Sequence, residues 1–300
     1  MKGHATQIGA LAFAAVLWTP FTLTAQDSPG NLLAEANAAY RALRTAEAVK
    51  LYREYLARYD DRPDVRVFLG GALLNLDQLP AALDEAERAI ALDPLYPKGY
   101  VLAGRIAGAR RQWERAQDLF QKAKLLAPAD LDAFYFSGRT FHDAGRFENA
   151  IEAFQQALRV GGEQSRVHEN LGLAYEALGK IEFAEDALSK AVKLAGESSR
   201  PYIAYGGFLF RQSRLAESLP LLRQAMTLAP ASSDARFELA RVLYHAGEVA
   251  EAARVLEPAV PSADCRIHNL MVRIYFARGE AGLAQRQVVA TENCIAKLVH

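Results

Sequence analysis

A six-residue phrase returns along this chain at a fixed interval. Residues 89–94 read AIALDP, 123–128 read AKLLAP and 225–230 read AMTLAP, while ALRVGG (157–162) and AVKLAG (191–196) stand where it would recur between them. The closing residues are Pro94, Pro128, Gly162, Gly196 and Pro230, each 34 residues after the last. Proline forbids continuation of a helix, and glycine just past a helix end permits a left-handed exit. One demand, that a helix stop and the chain turn, accepts both residues. A chain that renews this demand at a constant period is an array of like units, each unable to bury its apolar face without a neighbour.

Numbering each unit from Pro63 reveals three slots restricted to small residues. The eighth holds Gly70, Gly104, Gly138, Gly172, Gly206 and Ala240. The twentieth holds Ala82, Ala116, Ala150, Ala184, Ser218 and Ala252, and the twenty-seventh Ala89, Ala123, Ala157, Ala191, Ala225 and Ala259. Between them lie large apolar residues at helical spacing, as in Phe134 and Phe141, then Phe147, Ile151, Phe154 and Leu158. Gly145, Gly179 and Gly247 divide the pattern into two helices and supply the positive φ that ends the first one tightly. The unit is therefore a hairpin of helices A and B in close approach, with the small eighth slot expected to face the small twentieth slot. A larger side chain there would force the axes apart at a cost of roughly 1–3 kcal/mol.

These residues resemble the tetratricopeptide repeat family, whose period is 34 residues. The resemblance implies an all-α fold, a right-handed α-solenoid of antiparallel helix hairpins. Six repeats occupy 63–264. A degenerate repeat and cap precedes them at 26–62, with Ala36, Ala48, Tyr52 and Tyr55 in phase and Asp60 in the terminal slot. A second degenerate repeat with a capping helix fills 265–300 after a slip of two residues, with Tyr275, Gly279, Ala284 and Val288 in phase. Pro258 falls inside the preceding helix B, which is expected to end early.

Residues 1–25 read as a secretory signal peptide. A short basic start, MKGH, leads into an apolar core from Ile8 to Trp18, a turn at Pro20 and TLTA at 22–25. The core is shorter than the roughly 20 residues a membrane-spanning helix needs, which favours cleavage and export, with no membrane span in the mature chain. The expected location is a bacterial periplasm. The alternative is retention at the inner membrane by an uncleaved segment, because Leu23 stands where a small residue is usual.

Cys265 and Cys294 are the only cysteines. In the last unit they fall at the start of helix A and near the end of helix B, points that antiparallel helices bring side by side. In an oxidising compartment a disulfide would clasp this hairpin, worth roughly 3.5 kcal/mol on the chain-entropy account. Two free thiols packed as small hydrophobes fit the same positions.

Little in the sequence points to catalysis. None of the six histidines pairs with another His, a Cys or clustered acids at metal-ligand spacing. There is no nucleophile elbow, phosphate loop or dinucleotide fingerprint. No catalytic residue, metal or cofactor is expected. With 35 basic and 35 acidic residues the formal net charge is zero, which removes a global electrostatic reason for binding nucleic acid.

The resemblance also implies that helix A lines a concave face, with slots two, five, nine, twelve and thirteen pointing into it. Slot nine carries Arg105, Arg139, Arg241 and Arg273, and neighbouring slots offer Tyr135, His142, Phe210, Arg211, Phe237, Tyr244, His245 and Phe276. Glu169 and Glu176 add an acidic patch in the middle. Guanidinium forks beside aromatic faces suit an extended protein or peptide segment with acidic groups or a free C-terminus; the same aromatics could instead pack between repeats. The Lys and Asn pairs of the family's carboxylate-clamp subtype are poorly matched. The expected function is a non-catalytic protein-interaction scaffold using this groove. The alternative is a structural or assembly factor of a bacterial envelope complex, acting through self-association or its convex face.

Overall fold

The computed structural model describes residues 28–59, 61–261 and 264–299. The signal-like segment at 1–25 and Asp60 lie outside the described residues. Among those described, sixteen α-helices form eight hairpins and no strand occurs. The hairpins are α1 (Pro29–Arg41) with α2 (Thr45–Arg58), α3 (Pro63–Asn75) with α4 (Leu79–Leu92), and α5 (Pro97–Ala109) with α6 (Trp113–Leu126). Next come α7 (Leu131–Asp143) with α8 (Phe147–Gly161), α9 (Ser165–Ala177) with α10 (Ile181–Lys193), and α11 (Arg200–Arg211) with α12 (Leu215–Leu228). The last two are α13 (Ser233–His245) with α14 (Val249–Leu256) and α15 (Cys265–Ala277) with α16 (Ala281–Val299).

Each helix packs on the next in the chain, and from α3 to α15 every odd-numbered helix also touches the following odd-numbered one. The even-numbered helices make no comparable contact with one another among the described residues. The odd row is therefore the tighter, inner side of an α-solenoid, and the even row fans out along its outer side. Buried apolar residues run in successive clusters along the stack, as expected where each hairpin is covered by its neighbours alone.

The small slots create the close approach, although the partner of slot eight differs from the expected one. A Cβ on Gly104, Gly138, Gly172 or Gly206 would stand 2.7, 2.7, 2.6 or 2.7 Å from Phe120, Phe154, Leu188 or Leu222. Those large side chains occupy slot twenty-four of the same unit, so each glycine is a socket for an apolar knob. Slot twenty contributes backbone: the carbonyls of Ala82 and Ala184 lie 3.2 Å from the same point on Gly70 and Gly172. In the unit from Pro63 the knob position is Ala86, and Leu102 of the next hairpin fills the socket over Gly70. Where slot twenty is Ser218, its hydroxyl donates to the Gly206 carbonyl at 2.7 Å.

The turn between helices A and B follows one geometry in all eight hairpins. Its fifteenth slot has positive φ at Leu43, Asp77, Arg111, Gly145, Gly179, Ser213, Gly247 and Gly279, between 57° and 84°. Glycine fills only half of these positions, so the tight connection imposes the torsion on whatever residue is there. At the array's far end α14 stops at Leu256, and Pro258 sits in a 3₁₀ turn at Glu257–Ala259. The next helix begins at Cys265, 32 residues after Ser233 instead of 34, which realises the two-residue slip.

Candidate functional site: the inner face

Three depressions lie along the odd-numbered helices. Arg105 and Arg139 share one of about 230 Å³ with Phe136 and Thr140. Glu169, Gly207, Arg211 and Glu238 line a second of about 230 Å³. Phe237, Arg241, Leu270 and Arg273 line a third of about 390 Å³, together with Thr291 and Ile295 of α16.

The slot-nine arginines divide into two kinds. The Arg105 guanidinium lies 4.4 Å from the centroid of the Phe136 ring and makes no ion pair among the described residues. Burial, with the Arg139 charge nearby, pushes its pKa down. Arg139 and Arg273 are exposed and also make no ion pair among the described residues. Arg241, by contrast, pairs with Glu238 one helical turn away, and its guanidinium lies 4.5 Å from the Phe210 centroid. Arg211 grips Glu176 of the neighbouring hairpin through two bonds of 2.6 and 2.7 Å, which raise its pKa. The expected acidic patch is thus consumed internally, since Glu169 accepts from Arg200 at 2.9 Å as well. Burial nevertheless keeps the Glu169 carboxyl above its ordinary value.

The aromatics sort by depth. Phe210 and Tyr244 are half-buried, and both rings lie against the exposed His245. His142 stacks edge-on with Phe147 and sits 3.7 Å from Asp143. Phe276 is exposed. Phe237 is only 9% exposed but lines the third depression beneath Arg241 and Arg266. Tyr135, expected in the groove, is a correction. It is 4% exposed, packed against Phe136 and Phe154 and covered by the Arg166 guanidinium 4.7 Å from its centroid. Its ring belongs to the core between hairpins.

Slot two holds a feature that reading slot nine missed. Its residues run Asp64, Lys98, Asp132, Arg166, Arg200, Asp234 and, in the last unit, Arg266. Lys98 bonds Asp132 at 2.9 Å and Asp130 at 3.0 Å, Arg166 bonds the other oxygen of Asp132 at 2.7 Å, and Arg266 bonds Asp234 at 2.8 Å. Opposite signs in slot two of successive units, at 98, 132 and 166 and again at 234 and 266, were the signal for these bonds between hairpins. Among the described residues no group of His, Cys, Asp or Glu is placed to hold a metal, and no helix is long and apolar enough to cross a membrane.

Sequence comparison decides the family. The tetratricopeptide repeat profile matches residues 33–97, 101–161, 138–199 and 209–274, most of the chain. The chain belongs to the tetratricopeptide repeat family. Over 89 residues this tetratricopeptide repeat chain is 30% identical to the Hsp70-Hsp90 organizing protein of Triticum aestivum. That match covers 29% of this chain and 15% of the wheat protein. Among solved structures, the array superposes on a chain of the APC/C hetero-tetramer Cut9–Hcn1 with a TM-score of 0.68 at 16% identity, covering 88% of this chain and 52% of that one. It superposes on pilF of Pseudomonas aeruginosa with a TM-score of 0.58 at 20% identity, covering 70% and 92%. At these identities the likeness is one of fold.

Proposed function

We propose that this tetratricopeptide repeat chain is a non-catalytic scaffold that holds an extended segment of a protein partner along its inner face. The observation that carries the reading is the contrast among the arginines. Arg105, Arg139 and Arg273 make no ion pair among the described residues, whereas Arg166, Arg200, Arg211, Arg241 and Arg266 are each bound to an acid of this chain. Carboxylates on a partner segment supply the anions that the first three lack. Because the helices that present them are already packed, binding orders little of the scaffold. The signal-like segment at 1–25 and the joined cysteines of the last hairpin support a workplace outside the cytoplasm, in a bacterial periplasm.

The test is the double variant Arg139→Glu, Arg273→Glu, both exposed positions that tolerate a change of charge. Partners captured from an extracytoplasmic extract are compared with those of the parent chain. An unchanged set of partners on a variant with intact helicity removes the groove reading. A second reading rests on the outer edge, where Leu95 and Leu125 are 73% and 72% exposed beside Leu92 and Leu126 at the ends of α4 and α6. Apolar residues so displayed favour self-association or assembly. Light scattering over a range of concentration separates the two, a defined oligomer supporting assembly and a strict monomer the groove.

A further inference from the structure

The depression at the C-terminal end of the inner face differs from its neighbours in size and lining. At about 390 Å³ it falls within the range of small-molecule sites, roughly 300–1,000 Å³, while the other two, at about 230 Å³, fall below it. A hollow of about 350 Å³ at the start of α9 and α11 reaches the same range but is lined by Glu163 and Glu169. Phe237 of α13 and Leu270 of α15 give the C-terminal depression buried apolar walls, and the exposed Ile295 of α16 adds an apolar rim. Among the described residues no acid lines it, and its charge is carried by guanidinium groups. Arg266 is satisfied by Asp264 and Asp234. Arg241 pairs with Glu238, yet its Nε is buried with no acceptor. Arg273 makes no ion pair among the described residues. An apolar cleft with uncompensated positive charge is complementary to a negative head on an apolar arm.

The α16 wall has a single support. This helix makes substantial contact with α15 alone. Cys294, which lies between Thr291 and Ile295, is bonded to Cys265, with the two Cα atoms 5.6 Å apart, and Cys265 itself lines the cleft. The disulfide therefore fixes the segment that completes the site.

We propose that this cleft binds a small amphiphilic carboxylate, an alkanoic or aryl-alkanoic acid. Its head meets Arg273 and Arg241, its arm lies against Phe237, Leu270 and Ile295, and the Cys265–Cys294 bond keeps the site assembled. The proposal shares Arg273 with the partner groove, whose other two arginines without an ion pair, Arg105 and Arg139, lie outside the cleft.

The test is calorimetric titration of the oxidised full-length chain with decanoate below its micelle threshold, with decanol as the uncharged control. Saturable one-site binding of decanoate is expected. Arg273→Ala weakens it about tenfold while leaving decanol unchanged. Ile295→Asp, at an exposed helical position, and reduction with dithiothreitol each remove binding of both probes, with helicity monitored throughout. Absence of saturable decanoate binding overturns the proposal, and so does equal binding to the Arg273→Ala and parent chains. Undiminished binding after reduction overturns the role of the disulfide. Saturable binding of an acidic, aromatic peptide, weakened by Arg273→Ala, without any decanoate binding overturns the small-ligand assignment in favour of an anchor for the partner. Ile295→Asp leaves partner capture through Arg105 and Arg139 in place, so failure of the cleft and failure of the groove give different results.

Discussion

The Phe154 ring occupies the space that the missing side chain of Gly138 leaves open: a Cβ there would lie 2.7 Å from Cε1 of the ring. Gly138→Ala forces the ring or the helix to move and is expected to cost about 1–3 kcal/mol. Phe154→Leu in the same chain recovers part of that loss. Urea unfolding of the two single variants and the pair measures the coupling, and strictly additive effects would show that knob and socket are independent.

The inter-helix turns give a prediction of opposite sign at matched positions. Arg111 and Gly145 hold the same slot with φ of 58° and 74°. A non-glycine residue in this region is strained by roughly 1–2 kcal/mol, part of which glycine returns as lost chain entropy on folding. Arg111→Gly is expected to stabilise by up to about 1 kcal/mol and Gly145→Ala to destabilise by about as much. Equilibrium unfolding checks both.

Acidification separates two carboxylates of the inner face. Burial raises the pKa of Asp132, but bonds from Lys98 and Arg166 outweigh it and hold the group below its ordinary value. A depressed acid binds fewer protons folded than unfolded. It therefore stabilises above the ordinary aspartate range and loses that effect as pH falls through its folded pKa. Asp132→Asn lowers stability at neutral pH and reduces the loss on acidification. Glu169, raised by burial, has the opposite sign. Its folded form binds more protons, so stability falls as pH rises from the ordinary glutamate range through its folded pKa. Glu169→Gln removes that fall. Thermal melts from pH 3 to 7 report both.

The terminal hairpin gives a redox prediction. Thiol titration of the unreduced, denatured chain is expected to find none, and two titratable thiols would contradict the bond. Reduction is expected to accelerate amide exchange in α16 while leaving α3 to α10 unchanged, since stability in such an array is local. The chain-entropy account sets the scale of the loss at roughly 3.5 kcal/mol.

The hairpins were readable in the sequence because steric limits leave a periodic mark. Gly104 and Gly138 recur because a ring must fit beside them, and Pro258 breaks α14 because it lacks an N–H to donate. The pairing of slot eight with slot twenty-four was less legible, because small residues also fill slot twenty and suggested the wrong partner. Positive φ at Leu43, Asp77, Arg111 and Ser213 left no trace, since those residues carry no conformational signature of their own. The inner face was legible only as a set of positions. Residue identity showed four arginines in slot nine, but whether each meets an acid depends on the helical turn before it. Arg241 differs from Arg105 in having Glu238 within reach. Tyr135 was misread because its slot faces inward in general, while here Arg166 and Phe136 cover it.

The slot-two bonds have a consequence for rearrangement of the chain. Hairpins of equal shape could be cut out or duplicated without disturbing their stacking, yet at the seams joined by Lys98, Asp132 and Arg166, and by Asp234 and Arg266, opposed charges favour one order. Excising 97–130 would set Asp64 against Asp132, and excising 131–164 would set Lys98 against Arg166. Backbone geometry makes the units copies of one another, but the opposed charges of Lys98, Asp132 and Arg166 give those three units a fixed order, so that an array recombined there would declare its error through repulsion at the new seam.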